Sequence, residues 1–318
     1  MKQVVWLFSG QGAQYFQMGR ELFAQEPVFR AAIERLDAVV RPLLGESVAE
    51  EIYRERPDRF APFRCIRHTH PAIVMVECAL AELLRARGHR PDLIAGHSMG
   101  EVAAFAVAGA WRAEDVLVTV VKQGLLLEAS APPGGMLAVL GAPALFTEQP
   151  DVFAGCELAG VHFARSFVIG GPPEPLTRAR ARLRELGVDT HELPLPHAFH
   201  VSSIDPLRIP LAATAAGLVA GAARQPVYSV GTRRLVTLPT AEHLWEATRS
   251  RTDFPAAVRD LEADGPCLYV DLGPSGSFAT AIKYNVPAPA ASEFLPVMTP
   301  FGQERRALER LEARLAAR

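Results

Sequence analysis

The sequence predicts an α/β fold in which a smaller α+β domain is inserted into a larger one. Short runs at residues 4–8, 93–95 and 267–272 are predicted strands, because each is almost entirely apolar, with Asp271 the exception, and ends at a glycine-containing turn. Such runs are typical of strands in a sheet that is covered on both faces. Between about Gly134 and Leu193 the pattern changes to short β-like runs around an arginine-rich helix, which predicts a separate unit.

Helices are predicted between and after these strands, at residues 71–85, 101–108, 114–121, 176–186 and 304–318. Within the inserted unit, residues 136–140 and 166–169 are the predicted strands. We therefore place the large domain at residues 1–130 and 198–318, and the small domain at residues 131–197.

Composition narrows the classes of function. The net charge of −2 gives no argument for a nucleic-acid or membrane partner. Cys65, Cys78, Cys156 and Cys267 are scattered without ligand-like spacing, which indicates reduced thiols and no metal site. The chain opens on a short strand rather than a signal peptide, and no apolar stretch reaches the roughly 18 residues of a membrane helix. We expect a soluble cytoplasmic protein.

The strongest functional signal is the motif G-H-S-M-G at residues 96–100. It follows a predicted strand and precedes a predicted helix, which is the context of a nucleophile elbow. Such a turn lifts the Ser98 hydroxyl clear of the sheet, and the helix behind it presents free backbone N–H groups where an oxyanion would form. An ordinary turn is the alternative for an isolated motif of this kind. With both flanks correct, the pattern predicts that Ser98 is a nucleophile.

A serine nucleophile needs a base, and the stretch P-H-A-F-H at residues 196–200 offers two histidines. His197 and His200 lie where the chain returns from the inserted domain, so either one is positioned to face a cleft between the domains. The alternative interpretation is that both are partly exposed loop residues.

The loop S-G-Q-G-A-Q at residues 9–14 directly follows the first predicted strand. It lacks both the P-loop lysine and the Rossmann spacing, so phosphate binding is not indicated. A backbone that can approach a ligand closely suits an oxyanion hole instead. In that role the N–H of Gln11 would act together with the N–H of Met99.

In chain order, the stretches F-S-G-Q-G-A-Q (residues 8–14), G-H-S-M-G-E (96–101) and H-A-F-H (197–200), with this spacing, resemble the malonyl-CoA:acyl-carrier-protein acyltransferase family, which includes the acyltransferase domains of polyketide synthases. The resemblance extends over essentially the whole chain and includes the segment D-L-G-P at residues 271–274. It implies an α/β-hydrolase-like large domain with an inserted ferredoxin-like small domain. It also implies a Ser–His dyad in the cleft between the two domains.

The resemblance assigns a role to each residue of the predicted catalytic set. Ser98 is the nucleophile, and His200 is the base, oriented by a backbone carbonyl expected near Ala247. Gln11 and Met99 supply the N–H groups of the oxyanion hole. Ser98 would take the acyl group from a thioester, and a second thiol or water would then remove it.

One position departs from the members that use malonyl groups. In those members an arginine in the helix after the elbow pairs with the free carboxylate of the substrate, and the corresponding position here is Gln123. The neighbouring Lys122 points to another side of the helix. A carboxylate that loses water without an ionic partner costs several kcal/mol, whereas a bidentate Arg–carboxylate pair is among the strongest polar contacts. We therefore expect a non-carboxylated acyl group.

Two observations oppose this interpretation of Gln123. An alignment slip of one residue would move the position, and the H-A-F-H version at residues 197–200 usually accompanies malonyl selectivity. We give more weight to Gln123. The loss of the ionic partner of a substrate carboxylate is a stronger indication than the pocket shape that H-A-F-H implies.

Two histidines also depart from the family pattern. His70 stands where many members have glutamine, and His162 stands where asparagine is usual. Together with Gln123, these two histidines resemble the pattern of the discrete, trans-acting acyl hydrolases of polyketide systems. The alternative explanation for His70 and His162 is that they line the cleft or cap a helix. The predicted substrate-binding residues are Gln123, His97, His70, His162, His197 and Phe199.

The first functional expectation is hydrolysis of acetyl or other short, non-carboxylated acyl thioesters on an acyl carrier protein, in trans, in polyketide biosynthesis. The second is transfer of a non-carboxylated acyl or aminoacyl group between CoA and a carrier or between two carriers, and the third is malonyl transfer. A non-catalytic docking protein is the alternative from a different class, and the intact Ser98, His200 and Gln11 argue against it.

The expected partner is an acidic acyl carrier protein that docks near the cleft and the small domain. Its phosphopantetheine arm, or that of CoA, would carry the acyl group, and no bound cofactor is expected. Arginines at positions 178, 180, 182 and 184 could contact such a carrier, but a solvated helix face is the alternative explanation.

Overall fold

The computed structural model describes residues 2–56, 58, 61–287 and 289–317. Its strands are β1 (Gln3–Phe8), β2 (Leu93–Gly96), β3 (Gly135–Val139), β4 (Glu157–Phe163), β5 (Ser166–Gly171), β6 (Thr190–Glu192), β7 (Val227–Ser229), β8 (Arg234–Val236), β9 (Thr252–Asp253), β10 (Cys267–Asp271) and β11 (Glu293–Pro296). Its α-helices are α1 (Arg20–Gln25), α2 (Pro27–Leu44), α3 (Val48–Tyr53), α4 (Ile66–Ala86), α5 (Met99–Val107), α6 (Ala113–Ser130), α7 (Leu145–Glu148), α8 (Pro173–Glu185), α9 (Arg208–Thr214), α10 (Ala241–Arg249), α11 (Phe254–Leu261), α12 (Ser277–Lys283) and α13 (Glu304–Ala316). A 3₁₀ helix spans Ser202–Leu207.

The large domain is built on a six-stranded sheet in the order β11-β10-β1-β2-β7-β8. Its paired strands run parallel except for the antiparallel pair β7–β8. Successive residues of a strand point to opposite faces. On one face Val4 and Trp6 of β1 pack with α2, α4 and α6, and on the other face Val5 and Leu7 pack with α11 and α12. Both faces are therefore covered, and α6 and α12 lie on opposite sides of the sheet.

The small domain has the element order β3-α7-β4-β5-α8-β6, and its sheet has the strand order β6-β3-β5-β4-β9. The first four strands of that sheet pair antiparallel, as in a ferredoxin-like βαββαβ unit. The fifth, β9, comes from residues 252–253 and pairs parallel with β4. The predicted fold class is confirmed, and the domain boundary at residues 131–197 stays a prediction.

Among the differences from the sequence prediction, two have a physical reason in the structure. Helix α4 begins at Ile66 rather than at residue 71, because the turn before Pro71 is buried and its amides bond to the carbonyl of Cys65. Strand β4 was not predicted, because its pairing with β5 shifts register twice and this breaks the two-residue alternation. None of the described helices combines the length and the hydropathy that crossing a bilayer requires.

Candidate active site

Ser98 occupies a sharp turn between β2 and α5, with φ of 54° and ψ of −125°. A positive φ is strained for a residue other than glycine and is a recurring feature of functional sites. The elbow packs directly on the end of β1, where a Cβ atom at Gly100 would overlap the carbonyl oxygen of Phe8. Likewise, a Cβ atom at Gly96 would overlap the backbone of Glu101. Both motif glycines are therefore required by close backbone approach.

His200 contacts the Ser98 hydroxyl through its Nε2 atom, which lies 3.1 Å from the Oγ atom. Its Nδ1 atom lies 2.8 Å from the carbonyl oxygen of Ser250. In the consistent tautomer Nδ1–H donates to Ser250, and Nε2 accepts from Ser98. The expectation that the orienting carbonyl falls near Ala247 is wrong. Ala247 is still inside α10, whose carbonyls point along the helix axis, whereas Ser250 follows the helix in extended conformation.

Burial lowers the pKa of His200 to about 4, and the positive charge of Arg249 acts in the same direction. The hydrogen bond to Ser250 opposes this shift only in part. The imidazole is therefore neutral near pH 7, which is the protonation state that a general base needs.

The predicted oxyanion residues Gln11 and Met99 both line the cavity above the dyad. Within the described residues, neither backbone N–H donates a hydrogen bond to another protein group. The Gln11 side chain is held from two sides: its Oε1 accepts from His70 Nε2 at 3.0 Å, and its Nε2 donates to Thr69 Oγ1 at 3.2 Å. Burial lowers the pKa of His70 to about 3, so that this imidazole is neutral. The loop that carries Gln11 is thus fixed by α4.

The cavity has a volume of about 560 Å³ and takes its lining from both domains. Its lining includes the predicted residues Ser98, His200, Gln11, Met99, Gln123, His97, His70, His162 and Phe199. His197 is not among the lining residues, and its Nδ1 lies 3.1 Å from the carbonyl oxygen of Pro132. No aspartate, glutamate, lysine or arginine lines the cavity in the described part of the chain. The cavity therefore contains neutral polar groups and apolar side chains.

Gln123 is 4% exposed, and its amide makes no hydrogen bond to another described residue. His97 stacks on His200 with ring centroids 5.9 Å apart. His162 meets the edge of Phe254, with centroids 5.6 Å apart, and its carbonyl accepts a hydrogen bond from Asn285. Burial lowers the pKa of His162 to about 4 and that of His97 well below its ordinary value. Both imidazoles are therefore neutral cavity groups near pH 7.

Two buried carboxyl groups behind the site were not predicted from the sequence. Glu77 accepts a hydrogen bond from the N–H of Ser9 at 2.7 Å, and Asp271 accepts from the N–H groups of Gly273 and Ala279, each at 2.8 Å. Burial raises the pKa of Glu77 well above its ordinary value and that of Asp271 to about 6. The sequence signal for Glu77 is an acidic residue in the middle of the apolar run at residues 72–81 of α4.

Comparison with known proteins places this geometry in a family. Residues 5–310 match the model of the acyl transferase domain. The polyketide biosynthesis acyltransferase homolog PksD of Bacillus subtilis is 36% identical over 309 residues, which are 97% of this chain and 95% of PksD. The polyketide biosynthesis acyltransferase homolog BaeD of Bacillus velezensis is 37% identical over the same length and the same shares.

Solved structures of acyltransferases have the same fold as this chain. The acyltransferase domain from the second module of the salinomycin polyketide synthase superposes with a TM-score of 0.84 at 33% identity, covering 98% of this chain and 72% of that one. A loading acyltransferase from the avermectin modular polyketide synthase shares the fold, with a TM-score of 0.87 at 24% identity and coverage of 98% and 99%. The family expected from the sequence is confirmed: this chain belongs to the acyl transferase domain family.

Proposed function

We propose that this protein is a trans-acting acyl hydrolase of polyketide biosynthesis, which removes acetyl or other short, non-carboxylated acyl groups from acyl carrier proteins. The observation that carries this proposal is the neutral amide of Gln123 in a cavity whose described lining has no charged side chain. A malonyl carboxylate entering this cavity would lose water and gain no cation, which costs several kcal/mol. An acetyl group pays no such penalty.

The dyad supports a two-step reaction. Ser98 Oγ attacks the thioester carbonyl and gives its proton to His200 Nε2, while the N–H groups of Gln11 and Met99 stabilise the oxyanion. Cleavage of the C–S bond releases the phosphopantetheine thiol, which takes the proton from His200. Water then attacks the Ser98 ester and gives a proton to His200, and the carboxylic acid leaves as Ser98 regains its proton. The arm arrives with the substrate, and the two steps use no other cofactor.

Transfer to a second thiol is the second candidate function, since it uses the same residues. The names of PksD and BaeD, which are acyltransferase homologs, favour it. Malonyl transfer ranks third because of Gln123. A purely docking role would not require a nucleophile and a base at hydrogen-bond distance.

An acidic acyl carrier protein is the proposed partner, docking near the cleft and the small domain. The α8 arginines support this only weakly, because three of them already form ion pairs: Arg178 with Glu174, Arg180 with Glu192 and Arg182 with Glu185. We also propose a cytoplasmic location, since all four cysteines are unpaired, as is usual in a reducing compartment.

The deciding experiment is intact-protein mass spectrometry of a carrier protein loaded with acetyl or malonyl and incubated with catalytic amounts of the enzyme. We expect loss of acetyl to free holo-carrier, with malonyl largely retained, and no reaction with Ser98→Ala. Acetyl that stays until a second carrier or CoA is added, and then moves to it, would make the protein a transferase. Rapid exchange of malonyl would contradict the interpretation of Gln123.

Substitution of Gln123 tests the same point from the protein side. Gln123→Arg places a cation in the cavity, so we expect the ratio of malonyl to acetyl turnover to rise. Lys122→Arg is the matched control, because Lys122 is exposed and adjacent on α6. An unchanged ratio in Gln123→Arg would mean that Gln123 does not face the acyl group.

A further inference from the structure

The cavity has two chemically different walls. One is apolar and is formed by Leu127, Met136, Leu195, Phe199 and Leu211, which we call the acyl wall. These side chains are each less than a tenth exposed and belong to one hydrophobic cluster. The cluster is not sealed inside the protein, because these five members also face the cavity that contains Ser98. A binding partner that covers this wall must itself be apolar.

The second wall carries hydroxyl groups. Ser275, Ser277 and Thr280 line the cavity from α12 and the loop before it, and we call them the hydroxyl wall. The Oγ atom of Ser275 is buried and has no hydrogen-bond partner in the described part of the chain. A buried hydroxyl requires a partner, and an amide group of a phosphopantetheine arm is a suitable one for Ser275. The Thr280 hydroxyl already donates to the carbonyl of Gly276 at 2.9 Å.

The helices that contribute Leu127 and Thr280 to the two walls lie on opposite faces of the large sheet. Leu127 belongs to α6, which covers one face of the large sheet, and Thr280 belongs to α12, which covers the other face. Ser98 follows β2 at the edge between these two faces. A thioester whose carbonyl sits at Ser98 therefore directs its acyl chain and its thiol arm toward different walls.

We infer that the acyl wall binds the chain and that the preferred substrates are non-carboxylated acyl groups longer than acetyl. This inference rests on the proposed function. Gln123 and Leu127 lie four residues apart on the same face of α6, which is a distance of about 6 Å along the axis. An acetyl group cannot contact both residues, whereas hexanoyl is long enough to pass Gln123 and reach the acyl wall.

The expected effect follows from burial of methylene groups. Each methylene moved from water into an apolar site improves binding up to about fourfold. If several are buried in the transition state, kcat/KM for hexanoyl should exceed that for acetyl by about tenfold or more. Malonyl gains nothing from this wall, because its chain ends in a carboxylate.

The experiment measures single-turnover acylation of Ser98 and steady-state release, using a series of acetyl, butyryl, hexanoyl and octanoyl thioesters of one carrier protein. Intact-mass spectrometry follows both the acyl-enzyme and the free carrier. The rate constant of acylation should rise from acetyl to hexanoyl. Equal rates along the series, or a maximum at acetyl, would overturn the inference.

A pair of variants on α9 ties the preference to the wall. Leu211→Trp fills the cavity from the acyl wall, and the ratio of hexanoyl to acetyl kcat/KM should fall about tenfold. Ile209→Trp is the matched control, because Ile209 is 83% exposed on the same helix and does not line the cavity. It should leave the ratio at the wild-type value. An unchanged ratio in Leu211→Trp, with thermal unfolding equal to wild type, would contradict the inference.

The same data separate this inference from the proposed function. Acylation of Ser98 with the expected chain preference, but release only to an added thiol, supports the acyl wall and refutes hydrolysis. Hydrolysis with acetyl as the best substrate supports the proposed function and refutes the acyl wall. Absence of any acyl group on Ser98 refutes both.

Discussion

The nucleophile and the base of this site are held in place in different ways. Ser98 is fixed by its own neighbours in sequence, since β2, the two glycines of the elbow and α5 leave the turn only one close-packed path. His200 is fixed by a remote segment: its N–H donates to the carbonyl of Thr248 at 3.1 Å, and its Nδ1–H donates to that of Ser250. Both residues have positive φ, 54° at Ser98 and 61° at His200. Local order therefore sets one half of the dyad, and tertiary contacts set the other.

The largest effect is expected from removing the base. His200→Ala should slow acylation of Ser98 by about 10²- to 10⁴-fold, because no other group then accepts the proton. His191→Ala is the matched control, since His191 is exposed on β6. Stopped-flow or quenched-flow acylation with an acyl thioester measures both rates. Acylation at the wild-type rate in His200→Ala would disprove the dyad.

The local half of the dyad is tested at the elbow. Gly100→Ala places a methyl group against the carbonyl of Phe8, so we expect about 1–3 kcal/mol of destabilisation and a slower reaction of Ser98. Gly217→Ala is the control, because nothing lies within 4 Å of a Cβ atom there. Thermal unfolding and the acylation rate are measured together. Equal unfolding temperatures and equal acylation rates for Gly100→Ala and Gly217→Ala would show that the close approach of residue 100 to the Phe8 carbonyl is not needed.

A smaller effect is expected at Glu77, which holds the loop of Gln11 through the N–H of Ser9. Glu77→Gln keeps an acceptor oxygen for the Ser9 N–H, and burial raises the pKa of Glu77 and so already disfavours its charged form. We expect kcat to stay within about twofold of wild type. Glu77→Leu leaves the Ser9 N–H unpaired, at a cost of about 1–3 kcal/mol, and should lower kcat more than it raises KM. Equal kinetics for the two variants would contradict this positioning role.

The smallest effect is expected from mild acid. An imidazole with the ordinary pKa of about 6.5 would be only about one-tenth neutral at pH 5.5, and its activity would fall accordingly. Burial lowers the pKa of His200 to about 4, so the base stays neutral as the pH falls to 5.5. We therefore expect nearly equal kcat/KM for acylation at pH 7.5 and 5.5, with circular dichroism confirming the fold at both. The buried carboxyl of Asp271, with its pKa raised to about 6, also titrates in this range, so Asp271→Asn is measured alongside. A tenfold loss at pH 5.5 in both proteins would show that the base titrates as an exposed histidine.

The same division explains what the sequence could predict. The elbow, the strand before it and the arginine-rich helix α8 depend on short-range patterns, so that each was placed within a few residues. The carbonyl at Ser250 and the carboxyl of Glu77 depend on how distant segments pack, and neither has a local pattern. The start of α4 at Ile66 also depends on distant segments, because their packing buries the turn before Pro71 and extends the helix toward its N-terminus. The roles of the site residues stay predictions for the experiments above.

The short strand β9 has a consequence for motion. It follows Ser250 by two residues and pairs with β4 of the small sheet, with Gly160 allowing Thr252 to approach closely. Residues 250–253 therefore both orient the His200 imidazole, through the carbonyl of Ser250, and connect the large domain to the small sheet, through β9. A rotation that separates the two sheets must either break the β9–β4 pairing or displace the carbonyl of Ser250. Opening of the cleft is therefore coupled to the orientation of the His200 imidazole.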